Sequence, residues 1–579
     1  MKLFRKPSLM QRSAALDSLE AKLIKGVIGR RDFMKWSVAL GVSTASAEVM
    51  AQTLDAARAN QVQRSKSLAK QYDYVVCGGG TTGCIVAANL AADPSIKVLL
   101  IEAGDWDTAE SVLDPKQWFL NLGTERDWNF VAEPSAGVNG LSIPEHMGRV
   151  LGGGSSINAT IWARGHRADY DHWAAVSGEK AWGYDSARET FKRVEDWQGA
   201  PDAKYRGKGG KIWIEPSQNP SPLAPAMLEA VKSLGLPVYD DLNGPREESN
   251  GGFALMNHII KDGRRRNMAQ SYLYPILSQS NLTVLTNAHV ERIRLQGNVA
   301  TGVELVFDGK PVYVEAANEL ILTQGAVNTP KLLMLSGIGD QAQLRRHGIK
   351  TVLHAPEVGR NFQDHILHGG VLWELPEPVA MQNSGAEASG FWKSNPSLDR
   401  PDLNLVQIEL PYASEAIGKE YNPPTNSWAL CAGLVGPKSR GQVSLRSTKS
   451  SDKPIVDAKF LSHPDDVKAL SIGIEMCRDI GNAKPMAKYV KREVAPGKKL
   501  ARPALEQFVR NGTTTFFHQV GTCRMGSDSK AVVDSQLRVN GIKKLSIADG
   551  SIMPRTVSCA TMASCVFIAE RMSSILRPA

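Results

Sequence analysis

Between residues 72 and 104 the apolar positions fall into three blocks. YDYVVCG is a compact apolar run. TTGCIVAANLAAD spaces apolar and small residues as a helix does, and KVLLIEAG is a second run. This pattern predicts strand, glycine turn, helix and strand. Residues 105–165 lose that order; they are rich in Gly, Trp and Asn and predict long loops. DHWAAVSGEKAWGYDSARETFKRVEDW is helical by its period and its charges. From residue 282, LTVLTNAHVERIRLQGNVATGVELVFDGKPVYVEAANELILTQG alternates apolar and polar positions around the turn signals Gly-Asn and Asp-Gly, which predicts a meander of short strands. Residues 365–510 mix strand and helix patterns with many prolines and carry no chemical motif. The last 65 residues return to strand, turn and helix, with KKLSIADGSIMP leading into a helix that ends at IAERMSSIL. No internal repeat is present.

The chain has 579 residues, more than one hydrophobic core usually serves, so at least two domains are expected. Apolar residues make up 42% and charged residues 22%, as in a folded soluble protein. The net charge of +9 is concentrated at the start: residues 1–51 hold nine Lys/Arg against four Asp/Glu. The other 528 residues are therefore nearly neutral and have no basic footprint, which excludes a nucleic-acid partner. GRRDFMKWSVALGVSTASAEVMA pairs Arg30 with Arg31 ahead of a modest apolar stretch and small-residue sites at Ala45, Ala47 and Ala51. This is the pattern of a twin-arginine export signal over residues 1–51, which would make the protein periplasmic. An amphipathic helix with a chance arginine pair is the plainer alternative. The stretch is too short and too rich in Ser and Thr to be a permanent span, and no other window reads as an integral membrane span.

Gly78, Gly80 and Gly83 form GxGxxG between the first strand and the helix, with Thr81 and Thr82 opening that helix. The first glycine permits the turn, the second admits a pyrophosphate, and the third lets helix and strand pack. Glu102 closes the next strand, where a carboxylate accepts ribose hydroxyls. The motif asks for a dinucleotide without separating NAD from FAD. The seven cysteines show no CxxC pair and no metal-ligand spacing, so no metal is expected. Cys77 and Cys84 read as small buried hydrophobes.

Further along stand RVLGGGSSINATIWARG (Arg149–Gly165), GAVNTPKLLMLSGIG (Gly325–Gly339), VGRNFQDH (Val358–His365), HQVGTCRMG and IADGSIMP. In this order, from Tyr72 to the C-terminus, the sequence resembles the glucose-methanol-choline (GMC) oxidoreductase family of flavoproteins. The resemblance implies an α/β fold: a Rossmann-like FAD-binding domain with a substrate-binding domain on a mixed or antiparallel sheet. The expected division is 70–164, 222–366 and 513–579 for the first and 165–221 with 367–512 for the second. It implies FAD as cofactor, with Gly152, Gly153 and Asn158 along the flavin, Val290 at the adenine, and Asp549 with Gly550 near the ribityl-pyrophosphate. Some relatives bond the flavin covalently through a histidine in the glycine loop; Ile157 stands there, so FAD is expected to be non-covalent.

His518 matches the histidine that the family places at the reactive face of the flavin. An imidazole suits the base that takes the hydroxyl proton while hydride leaves for flavin N5. The family's second polar side chain, Asn or His, falls at Ala560 in VSCATMAS, and a methyl group cannot hydrogen-bond a hydroxyl. Either His518 works alone, or Arg555, Thr561 or Gln519 substitutes, or the pocket no longer handles ordinary alcohols. His365 reads as fixing a loop near the domain junction. DGRRRNMAQSYLYP (Asp262–Pro275) reads as a solvated turn, or as arginines greeting an acidic substrate. Cys559 and Cys565 read as packing residues. The expectation is an FAD-dependent dehydrogenase acting on an alcohol substrate and passing electrons to a quinone, a cytochrome or a partner subunit. An oxygen-using alcohol oxidase, a lyase or photodecarboxylase, and a non-catalytic electron-relay subunit remain as alternatives.

Overall fold

The computed structural model describes residues 63–577 together with Ala57, Asn60 and Gln61. The expected export segment, residues 1–51, lies outside the described residues.

Strand Gln71–Cys77 sits in the middle of a seven-stranded sheet, parallel to Val98–Ile101 on one side and to Lys310–Leu322 on the other. Val75, Val76, Cys77 and Val98–Leu100 have no exposed surface, as expected of a parallel strand covered on both faces. Leu282–Leu285 extends the parallel run at one end, and Leu545–Ile547 pairs with the far end of Lys310–Leu322. The near end of that long strand carries an antiparallel meander, Ala288–Gln296 with Val299–Phe307. Its last turn has Asp308 and Gly309 both at positive φ, the tight hairpin geometry that Asp-Gly favours. Helix Thr81–Ala91 leaves the first strand, and the terminal helix Met562–Leu576 packs across it, with the Asn89 amide donating to Glu570 and Ser573.

The second sheet has eight strands, all antiparallel, built around Ser427–Leu434 and Leu403–Ile408, with helix Pro464–Gly481 packed on it. The fold is thus α/β with a second, antiparallel domain. The packing divides the chain differently from the expected boundaries in two places. The helices Arg167–Ser177 and Tyr184–Val194 bury Tyr170, Trp173, Trp182 and Phe191 in the core of the first sheet, although residues 165–221 were expected in the substrate domain. Conversely, helix Leu223–Ser233 joins the second core and Gly252–Leu255 forms an edge of the second sheet, within a span expected in the FAD domain. In both cases the tryptophan and leucine faces are apolar to either core, so composition alone could not assign them.

Ile366–His368 pairs with both Ser427–Leu434 and Thr513–Thr515. The register has Ile366 opposite Thr515 and, further on, Gln363 bridged to Val520. Two residues, Asp364 and His365, therefore face four, Phe516–Gln519. The surplus forms a bulge that lines the cavity between the two cores, and His518 rides on it. Among the described residues no helix is long and apolar enough to cross a membrane.

Candidate active site

A cavity of about 730 Å³ runs between the two cores, within the range of about 300–1,000 Å³ typical of ligand pockets. Gly78, Gly80, Thr81, Thr82, Glu102, Gly153, Ile157, Asn158, Val290, Asp549, Gly550 and His518 all line it. Gly83 and Gly152 do not; they hold its walls in shape. A Cβ on Gly83 would lie 1.8 Å from the Gly78 carbonyl oxygen, so no larger residue lets the helix close on the strand. Gly152 N–H donates to the Gly79 carbonyl at 2.7 Å, tying the second glycine loop to the first. Gly153, at φ +54°, brings its backbone so near that a Cβ there would stand 2.6 Å from Gly80 Cα.

The nucleotide end fits a dinucleotide. Helix Thr81–Ala91 has no side-chain cap and no acidic residue in its first turn, so its free N–H groups and positive end face the cavity. A Cβ built on Gly80 would have no protein atom nearer than 3.9 Å, which leaves the room a phosphate needs. The Glu102 carboxyl accepts from Gly79 N and Gly104 N, both at 2.8 Å, and burial pushes its pKa up to about 7. Asp549 accepts from Gly325 N at 2.9 Å, Thr329 Oγ1 at 2.6 Å and Ser551 N at 2.8 Å. Asn158 Oδ1 accepts from Arg265 Nη1 at 2.6 Å. Arg265 has no exposed surface, and its guanidinium also donates to the carbonyls of Val112, Ser155 and Asn158. The segment expected as a solvated turn or an anion greeter thus has one arginine holding the Asn158 loop from behind.

At the other end the His518 ring faces the cavity. Its backbone N–H donates to Asp364 Oδ1 at 2.7 Å, Phe517 takes φ +61°, and the Phe516 ring lies parallel to the imidazole with centroids 5.5 Å apart. Burial pushes the His518 pKa down to about 3, so the ring is neutral. Behind it, Asp364 also accepts from the Thr515 hydroxyl, and Gln519 Nε2 donates to Glu145 Oε2 at 2.6 Å. Burial and the neighbouring Asp364 push the Glu145 carboxyl well up, while burial pushes Asp364 up to about 6. His365 is not merely a loop anchor: its Nδ1 lies 3.0 Å from His518 Nδ1.

Of the candidate substitutes for the missing polar partner, Gln519 lines the cavity with its amide taken up by Glu145, and Thr561 lines it beside Ala560. Arg555 turns away to Asp399 and the Ala168 carbonyl. His146 also lines the cavity, bonded through Nδ1 to Asp127, with its edge on Phe517 at 5.0 Å. Its sequence neighbourhood carries no signal that would have singled it out. Cys559 is buried, with Sγ 3.3 Å from the Ala163 carbonyl. Cys565 reaches the cavity, but burial pushes its thiol up to about 12, so it is no nucleophile.

Family models described as GMC oxidoreductase match residues 72–367 and 437–569. The chain belongs to the GMC oxidoreductases. As a GMC oxidoreductase it is a member of an FAD-dependent family. It is 34% identical to an alcohol dehydrogenase [acceptor] of Pseudomonas putida, over 87% of this chain and 95% of that one. It is also 34% identical to choline oxidase of Arthrobacter globiformis, over 88% and 95%. Among solved structures, pyridoxine 4-oxidase from Mesorbium loti superposes with a TM-score of 0.82 at 32% identity, over 87% of this chain and 98% of its own.

Proposed function

We propose that this GMC oxidoreductase oxidises a neutral, largely apolar alcohol to an aldehyde or ketone, with His518 as base and FAD held without a covalent link. The observation that carries the reading is that one cavity is lined at one end by the dinucleotide cradle and at the other by a neutral imidazole. FAD, when bound, supplies the hydride acceptor at its N5. His518 Nε2, the ring nitrogen not engaged by His365, takes the proton from the substrate hydroxyl. Asp364, Phe516 and the bulge hold the ring so that it has one direction to face. The position of Ile157 offers only carbon to the cavity, which supports a non-covalent flavin.

The wall beyond the cradle is made largely of Trp118, Phe119, Leu122, Ile161, Met256, Val406, Ile408 and Phe516. Glu102 and Asp549 are the two carboxylates on the cavity, and both stand in the nucleotide cradle. A cationic alcohol such as choline would leave water without a counter-charge, which costs several kcal/mol. An apolar alcohol would gain from burial instead. The export pattern in residues 1–51 favours a periplasmic dehydrogenase that passes electrons to a quinone, a cytochrome or a partner subunit.

The test is anaerobic reduction of the FAD-loaded protein across a panel of benzylic and medium-chain alkyl alcohols alongside choline. Rapid loss of flavin colour with the neutral alcohols, and little with choline, is expected. Choline reducing it fastest overturns the substrate class, and no colour loss with any alcohol overturns the reaction. Oxygen consumption in the same turnover then separates oxidase from dehydrogenase.

A further inference from the structure

We infer that His365 is the positioning residue for His518: it accepts a hydrogen bond from His518 Nδ1–H and thereby fixes the tautomer whose Nε2 is free to act as base. The inference rests on the proposed role of His518. It explains how this chain works with Ala560 in front of the base, because the polar partner stands behind the ring instead.

The two imidazoles meet edge to face, with centroids 5.1 Å apart and planes at 88°, and their Nδ1 atoms are 3.0 Å apart. Of two neutral rings in such contact, one nitrogen must donate and the other accept. The opposite nitrogen of His365 decides which. His365 Nε2 lies 2.8 Å from Thr556 Oγ1, and the Thr556 hydroxyl donates its one proton to the Val557 carbonyl at 3.5 Å. With that proton spent on the carbonyl, Oγ1 accepts from the ring, so Nε2 carries the His365 proton. Nδ1 of His365 is then a bare acceptor, and the shared hydrogen belongs to His518 Nδ1. That leaves His518 Nε2 unprotonated toward the cavity.

The surroundings keep His365 in this state. It has no exposed surface, and burial, His518 and the Arg400 guanidinium all oppose its protonation; Asp169 favours it. Asp364, the residue next to His365, accepts from the His518 backbone N–H at 2.7 Å and ties the two histidines' segments together. The Phe516 ring stands edge-on to His365 at 6.3 Å. Thr556 is fixed in turn: its carbonyl accepts from Arg400 at 2.9 Å, and Arg400 is ion-paired with buried Asp169. When His518 takes the substrate proton at Nε2, the Nδ1–H bond stays intact and no proton passes to His365. The bond to His365 becomes charge-assisted and strengthens as the imidazolium forms.

The test uses the FAD-loaded full chain with His365→Asn, His365→Gln and His365→Phe. The Asn carbonyl falls where Nδ1 stood and retains an acceptor. Gln reaches toward Thr556 and does not, and Phe has no acceptor at all. Anaerobic flavin reduction should fall by about 10²–10⁴-fold in Phe and Gln, as expected when a base loses its orienting partner, and recover most of that loss in Asn. Ring nitrogen-15 NMR of histidine-labelled protein, with His518 assigned by its absence in His518→Ala, reads the tautomer without turnover. A single Nδ1–H tautomer in the wild type and Asn variant, with mixed tautomers in Gln and Phe, is expected. An Nε2–H tautomer in the wild type, or one unchanged in both Gln and Phe, overturns the inference. Absence of flavin reduction in the wild type counts against the proposed function, and the spectra still decide the role of His365. If the Phe variant does not fold, Gln makes the same comparison.

Discussion

His518 serves as a base only if its ring is neutral and one nitrogen is free, and both conditions come from its neighbours. The ordinary imidazole value is 6.5, and burial takes this ring to about 3. In the proposed mechanism the neutral form is the active one, so activity is full above the pKa of the folded protein and is lost as pH falls through it. The acid limb of kcat/KM should therefore lie well below pH 6.5; a limb at the ordinary value contradicts the burial argument. His518 was legible in the sequence because HQVGTCRMG surrounds it. Its supports were not. Asp364 is 154 positions away from it, and Glu145 reaches Gln519 across 374 positions. Such contacts depend on how two sheets meet, which no local spacing encodes. His365 and His518 each stood in a readable motif, yet nothing in either motif says that their rings meet across 153 positions.

The elements that carry the cofactor cradle were the most legible, because tight backbone approaches demand particular residues at fixed spacing. Gly83 and Gly153 are two such positions. Gly83→Ala should purify with little or no FAD, measured as the ratio of flavin to protein absorbance, since its Cβ cannot coexist with the Gly78 carbonyl. Full flavin occupancy in that variant would show that the helix need not close there. The support of the second loop was less legible. In DGRRRN, Arg265 looks like its neighbours, but of the three arginines it is the one fully buried, against the Asn158 loop. Arg265→Met leaves buried carbonyls without donors and should cost about 2–4 kcal/mol of stability. Denaturant unfolding checks this, together with a weaker FAD affinity. A variant as stable as the wild type would mean that water replaces the guanidinium.

At the scale of the molecule, the cavity is walled by both cores, so its ligand should tie them together. FAD at 100 times its Kd should stabilise the apoprotein by about 2.7 kcal/mol and keep unfolding a single transition. Two transitions, with only one shifted by FAD, would mean that the cofactor rests on the first core alone. The two-domain α/β class was readable from the strand–helix–strand opening and the later meander. Which core the helices Arg167–Ser177, Tyr184–Val194 and Leu223–Ser233 enter was not, because a buried tryptophan or leucine does not say where it packs. The claim on which the whole account turns is that His518 faces the cofactor across this cavity. The most direct measurement is the anaerobic flavin-reduction rate with a saturating neutral alcohol in the wild type and in His518→Ala, each loaded with FAD. The account predicts a variant that keeps its flavin spectrum and loses about 10²–10⁴-fold in rate. A variant that keeps both spectrum and rate contradicts it.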